Sequence, residues 1–118
     1  DVCSSDLPRI CGICGTSHLY ASVLALESFY NTEIGPNGTR IRNIALMVEE
    51  IQSDLRHTFI MFAIDFCNEI YAKNKYYMIA TQNFSPLKGT LYKETVHWTK
   101  ELLKVIALFG GQWPHPSY

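Results

Sequence analysis

Nowhere do about 18 apolar residues run together, so the sequence encodes no membrane-spanning helix. Charge of one sign is not in excess either: ten Lys and Arg stand against eleven Asp and Glu, a formal net charge of -1. That balance supplies no electrostatic pull toward nucleic acid or an anionic bilayer, so partners must be recognised by shape. Cysteine is scarce, with four residues, and Cys11 and Cys14 are too near each other to close a useful loop. A secreted disulfide framework is thereby excluded and reduced thiols are favoured. The opening residues lack the charged-then-apolar layout of a signal peptide, and no internal repeat or low-complexity segment is visible.

What is present is 118 residues with 47% hydrophobic content, enough for one domain with a core. Asp1-Val2-Cys3-Ser4-Ser5-Asp6-Leu7 matches nothing that follows and spells one reading frame of a common short-read sequencing adapter. Residues 1–7 are therefore expected to be a non-native leader, and Cys3 gets little weight as a ligand. Beyond them every periodic stretch reads as helix. Leu19, Val23, Leu26 and Tyr30 recur every three or four residues, predicting a helix from a Thr16 or Ser17 cap to Tyr30 with one buried stripe. Asn31 to Gly38 is a connector broken most clearly by Gly35-Pro36-Asn37-Gly38. An apolar residue then recurs at almost every turn from Ile41 to Ile70 with no Gly or Pro between, predicting one helix from Thr39 to near Ala72. At ~1.5 Å per residue it spans roughly 50 Å, a length suited to a bundle in a larger protein. A short helix over Tyr76 to Gln82 and a last one over Tyr92 to Leu108 follow. Gly110 to Tyr118, with two glycines and two prolines, forms an irregular aromatic tail. The expected fold class is all-α.

The most chemically loaded run is Arg9-Ile10-Cys11-Gly12-Ile13-Cys14, with His18 one helical turn later. Two thiols at this spacing reach one ion when the backbone between them turns tightly, a freedom assigned here to Gly12. A thioredoxin-like dithiol expects a hydrophobic strand leading into the first cysteine and βαβ units after it, and neither is present. Haem attachment expects His directly after the second cysteine, where Gly15 stands. A structural zinc site needs four ligands; Cys11, Cys14 and His18 supply three, and His57 or His97 would have to complete it. A small zinc-binding or thiol interaction module therefore stays open.

Pro8-Arg9-Ile10-Cys11-Gly12-Ile13-Cys14-Gly15-Thr16-Ser17-His18 resembles the N-terminal metal-binding motif of nickel-iron hydrogenase large subunits, R-x-C-G-x-C-x-x-x-H, at every position. Arg42-Asn43, Ser53 to His57, and Phe109-Gly110-Gly111-Gln112-Trp113-Pro114-His115 are similar to later segments of that family. The last resembles its uptake class, in particular cyanobacterial-type enzymes, and the resemblance runs from Pro8 to the end. It implies that residues 8–118 are part of a large-subunit helical bundle. It also implies a nickel-iron centre whose iron carries carbon monoxide and cyanide, with Cys11 a terminal nickel ligand and Cys14 bridging the two metals. Soft thiolates suit such a centre. By the same resemblance His18 hydrogen-bonds the bridging sulfur, Arg9 holds the loop electrostatically, and His115 lies toward a partner subunit and its nearest iron-sulfur cluster. The implied partners are dihydrogen, an iron-sulfur small subunit and hydrogenase maturation proteins, with a cytoplasmic location or membrane association through the partner. Two further cysteines and the proton relay of that family are not found in this sequence, so this stretch alone is expected to be inactive. A hydrogen sensor or bidirectional enzyme of the same superfamily is the alternative role.

The other polar candidates have plainer readings. His57 has no ligand partner at the next turn and reads as a hydrogen-bonded scaffold residue, and His97 as a partly exposed one. Glu49, Glu50 and Asp54 are expected on the solvated face of the long helix. Cys67, beside Phe66, reads as a buried apolar residue.

Overall fold

A computed structural model describes residues 6–117. Cys3 and most of the expected leader lie outside them. Every regular element among the described residues is helical, as the periodicity required. There are four α-helices, α1 (Gly15–Tyr30), α2 (Pro36–Arg56), α3 (Tyr77–Phe84) and α4 (Thr90–Gly110), with short π and 3-10 turns between α2 and α3. The chain forms two compact units, one of residues 1–50 with 102–118 and one of residues 51–101.

In the first unit α1 ends where Asn31 takes a left-handed conformation (φ 50°) and its N–H bonds Glu27 O, a stop that Asn tolerates better than most residues. Helix α2 then begins on Pro36, inside the segment read as a breaker. Pro at the first helical position lacks only an N–H that has no intrahelical partner there, and the first turn closes from Thr39 N–H to Gly35 O at 3.3 Å. The two helices are tied by Arg42 Nη1 to Glu27 Oε1 at 2.6 Å and by Tyr20 Oη to Asn43 Oδ1 at 3.1 Å. Leu19, Ala45 and Ile106 are the buried apolar side chains of this unit among the described residues.

The second unit corrects the long-helix expectation. Regular α-helix stops at Arg56, a π-helical turn occupies His57–Phe62, a 3-10 turn occupies Ala63–Cys67, and Asn68 is extended at ψ 136°. The cause is local. His57 Nδ1–H donates to Ser53 O at 3.0 Å, the acceptor that the His57 backbone N–H uses in an α-helix, and Ala63 N–H then bonds Thr58 O five residues back. One inserted residue turns everything after it by about 100° relative to the earlier stripe. Phe62, at the end of the π-helical turn, is 63% exposed and Phe66 58%, while Ile70, beyond the extended Asn68, is 80% exposed. Within the π-helical turn Phe59 stacks on Phe84 with ring centroids 6.3 Å apart, and before it Gln52 Nε2 bonds Thr99 O at 3.1 Å. Phe66, Tyr71, Tyr76, Tyr77, Ile79 and Phe84 line an apolar cavity of about 410 Å³. No described helix is long and apolar enough to cross a membrane.

Candidate metal-thiolate site

The cysteine run sits between a 3-10 turn, Leu7–Arg9, and the start of α1. Its backbone folds around the Cys11 sulfur: Cys14 N–H donates to it at 3.1 Å and Ile13 N–H at 3.4 Å. Hydrogen bonding from the Cys14 side chain acts on the same sulfur. That bond, together with the two amides, pulls the Cys11 pKa below the ordinary thiol value. Cys14 is pushed up to about 11, first by giving its proton to the bond with Cys11, then by burial and by the negative charge of Cys11 and Glu49. Of the two, Cys11 is therefore the more readily ionised and Cys14 keeps its proton longer. Iodoacetamide should alkylate Cys11 first at neutral pH, with first modification at Cys14 becoming comparable only as pH rises toward 11, as peptide mass mapping would reveal. Equal rates for the two at pH 7 would contradict this arrangement.

Gly12 has no positive φ, and a Cβ on it would meet nothing within 4 Å, so the tight turn does not depend on it as the spacing argument supposed. The glycine that matters is Gly15, whose missing Cβ would lie 3.1 Å from Pro8 O and 3.5 Å from His115 N. It lets the C-terminal tail lie against the cysteine loop. His115, itself at φ 66°, donates from Nδ1 to Pro8 O at 2.8 Å, and Gln112 Nε2 holds His115 O at 2.7 Å. Tail and loop, about a hundred residues apart in sequence, thus meet at one place.

Arg9 is exposed at the end of the 3-10 turn. His18, half-buried in the first turn of α1, donates its backbone N–H to Cys14 O at 3.3 Å. Its imidazole is not joined with the two thiols into a ligand cluster: among the described residues no three His, Cys, Asp or Glu side chains converge to hold an ion. The zinc-module reading therefore lacks a ligand set here. His57 is exposed and held by Ser53, His97 is exposed, and Cys67 is half-buried with its thiol toward Ala80 O at 3.5 Å.

Glu49 is the residue that the sequence misplaced. Expected on a solvated face, it is 4% exposed, and its carboxylate accepts from Thr16 N–H at 2.9 Å, from Ser17 N–H at 2.8 Å and from the Ser17 hydroxyl. The cap of α1 is neither Thr16 nor Ser17 but Cys14, whose side chain makes no capping bond. A signal was available: a carboxylate among polar neighbours facing a helix start that has no capping side chain of its own. Its partners lie more than thirty residues away, which no periodicity argument reaches.

Two thiols converging on one point are a soft donor pair of the kind that nickel and iron take. The sequence matches the family model for nickel-dependent hydrogenases over residues 4–87. It is 38% identical over 118 aligned residues to the hydrogenase-2 large chain of Escherichia coli strain K12, covering 92% of this chain and 21% of that protein. It is 24% identical to the uptake hydrogenase large subunit of Rhodobacter capsulatus, with 93% of this chain and 27% of that protein covered. Against the periplasmic [NiFeSe] hydrogenase large subunit of Desulfomicrobium baculatum the identity is 25%, with coverages of 95% and 24%. The chain thus spans about a quarter of the length of the curated relatives it matches. With the cysteine run inside the matched residues, the chain belongs to the nickel-dependent hydrogenase family and corresponds to a stretch of its large subunit.

Proposed function

We propose that Cys11 and Cys14 supply half of the thiolate set of a nickel-iron centre, Cys11 as terminal nickel ligand and Cys14 as the bridge to an iron carrying carbon monoxide and cyanide. The whole subunit would be of uptake type, oxidising dihydrogen and passing electrons to an iron-sulfur small subunit after assembly by maturation proteins. The observation that carries this reading is the turn itself, in which the Ile13 and Cys14 amides both donate to the Cys11 sulfur. When bound, the nickel-iron group supplies heterolytic cleavage of dihydrogen.

The chain's own residues prepare the place. The Ile13 and Cys14 amides keep negative charge on Cys11 Sγ, so that sulfur is ready to ligate. Cys14 Sγ must release its proton for metal to bind, so affinity falls as pH falls. His18, one turn on, would hydrogen-bond the bridging sulfur, the kind of contact that tunes a ligand. Arg9 contributes positive charge at the loop. His115, fixed between Pro8 and Gln112, is the residue of the tail offered to the small subunit.

The test is metal and activity together. The complete large subunit, purified with its partner, is expected to contain nickel and iron and to reduce a dye under hydrogen, whereas the 118-residue chain alone does neither. Apolar side chains account for the second half of that expectation. Phe29, Ile70, Met78 and Leu108 are each exposed by 78% or more, so the isolated chain should bind a hydrophobic dye strongly and associate. Stoichiometric zinc in the complete subunit, with no nickel, would defeat the proposal.

A further inference from the structure

A helix whose first residue follows a metal ligand has a capping problem. The N-cap side chain ordinarily accepts from the second and third N–H groups of the helix. In α1 that position belongs to Cys14, and a thiol is a weak acceptor that cannot cap while its sulfur binds metal. The two donors concerned, Thr16 N–H and Ser17 N–H, are taken instead by the two carboxylate oxygens of Glu49, from α2. The Ser17 hydroxyl adds a third bond to Glu49 Oε1. Thr16 is 1% exposed and Glu49 4%, so water does not supply the acceptor at Thr16 N–H, while Ser17 is itself exposed. A carboxylate also suits the positive end of the helix dipole. Helix α2 is in turn held to α1 by Arg42–Glu27 and Tyr20–Asn43, so Glu49 rests on a fixed support.

We propose that Glu49 is a positioning residue for the cysteine turn: it caps α1 in place of Cys14 and thereby fixes the direction in which the Cys14 sulfur points while leaving that sulfur to the metal. The geometry makes this more than fold maintenance. The bonds fall on Thr16 and Ser17, two and three residues beyond Cys14, and Cys14 N–H and Ile13 N–H are already committed to Cys11 Sγ. Successive amides across the turn thus divide between the sulfur before the helix and the carboxylate beneath it. If Glu49 lets go, the buried Thr16 N–H has no acceptor left, and Cys14 loses the end that anchors it.

The inference rests on the nickel reading above, and its test separates the two. The complete large subunit with its partner is compared as wild type, Glu49→Gln and Glu49→Asp. Gln keeps the size of the side chain but sets an amide NH2 against one of the two backbone donors; Asp keeps the charge but falls short by one methylene. Glu49→Gln should speed deuterium exchange of the Thr16 and Ser17 amides about tenfold, the equilibrium factor of a lost N-cap. It should also shift the nickel electron paramagnetic resonance signal or lower nickel content by at least about threefold, toward the range seen when support behind a ligand is removed. Glu49→Asp should change both in the same direction and less, and it carries the test if Glu49→Gln does not fold. Unchanged exchange in a folded variant overturns the capping. Faster exchange with the nickel signal and content unchanged overturns the positioning and leaves Glu49 a purely structural cap. A wild-type subunit without nickel defeats the metal reading and with it the positioning, while exchange in the same samples still decides the capping.

Discussion

Cys14→Ser in the complete large subunit is expected to lower nickel content and hydrogen oxidation by more than about 100-fold, beyond the 10–100-fold typical when a group behind a metal ligand is lost. The substitution is unusually clean. Cys14 is the N-cap of α1 and caps nothing with its side chain, while Ser is among the best capping residues, so the new hydroxyl keeps or improves the helix start. Loss of metal would then report the missing thiolate rather than a missing fold. Cys11→Ser should lose metal as fully, and in addition the Ile13 and Cys14 amides would be left facing a neutral oxygen rather than a thiolate. Cys67→Ser is the control: Cys67 belongs to the other compact unit and faces the Ala80 carbonyl, and a hydroxyl serves that acceptor at least as well. Metal analysis and a hydrogen-uptake assay on the three variants decide the matter. A Cys14→Ser subunit that keeps its nickel would remove Cys14 from the ligand set.

Much of the chain was legible because its signals are local. The run Arg9 to His18 carries its chemistry at fixed short spacing, and the apolar recurrence from Leu19 onward announces helix without ambiguity. The start of α2 was misread by two or three residues because Pro36 serves equally as a breaker and as a first helical residue, and only the acceptor at Gly35 distinguishes the two. The π-helical turn at His57 could not be read from Gly or Pro, since neither is there. It comes from a side chain competing with the backbone for the Ser53 carbonyl, a contest that depends on ring orientation. Glu49 was misplaced for the converse reason: helical periodicity assigns it to a polar face correctly, but it does not say that this face covers the start of another helix.

The core is thin for a chain of this length. Leu19, Ala45, Ala63 and Ile106 are the buried apolar side chains among the described residues, whereas Ile44, Ile51 and Phe62, all on the predicted stripe, are open to solvent. Those three differ in cause. Phe62 lies in the π-helical turn, where the register changes, but Ile44 and Ile51 precede it and keep the original register. Their exposure therefore reflects a stripe without a cover, which fits a chain spanning about a quarter of its relatives' length. Stability of this stretch should accordingly depend on close backbone packing more than on apolar burial.

Gly89→Ala tests that dependence where it is greatest. A Cβ on Gly89 would lie 2.3 Å from Asn83 O, 2.5 Å from Asn83 C and 2.8 Å from Phe84 N. All three are backbone atoms at the end of α3, so no side chain can swing aside to make room. The turn they belong to is tight: Gly89 N–H reaches Ser85 O at 2.7 Å, Lys88 N–H reaches the same oxygen at 3.1 Å, and Leu87 sits at φ 63°. Gly89 O also accepts the first bond of α4, from Lys93 N–H at 3.1 Å. Moving Gly89 outward by the ångström or so that a methyl demands breaks the Ser85 bonds or the α4 start, so the cost should reach about 3 kcal/mol, the upper part of the range for overpacking. Gly35→Ala, where a Cβ would meet nothing within 4 Å, should stay within about 0.5 kcal/mol. Denaturant midpoints of the two variants in the complete subunit give the comparison, and amide exchange locates it. Loss of protection confined to residues 77–100 in Gly89→Ala would place the damage at the α3–α4 turn, whereas equal midpoints for the two variants would mean that the turn opens at no cost and that backbone closeness there does not sustain the fold.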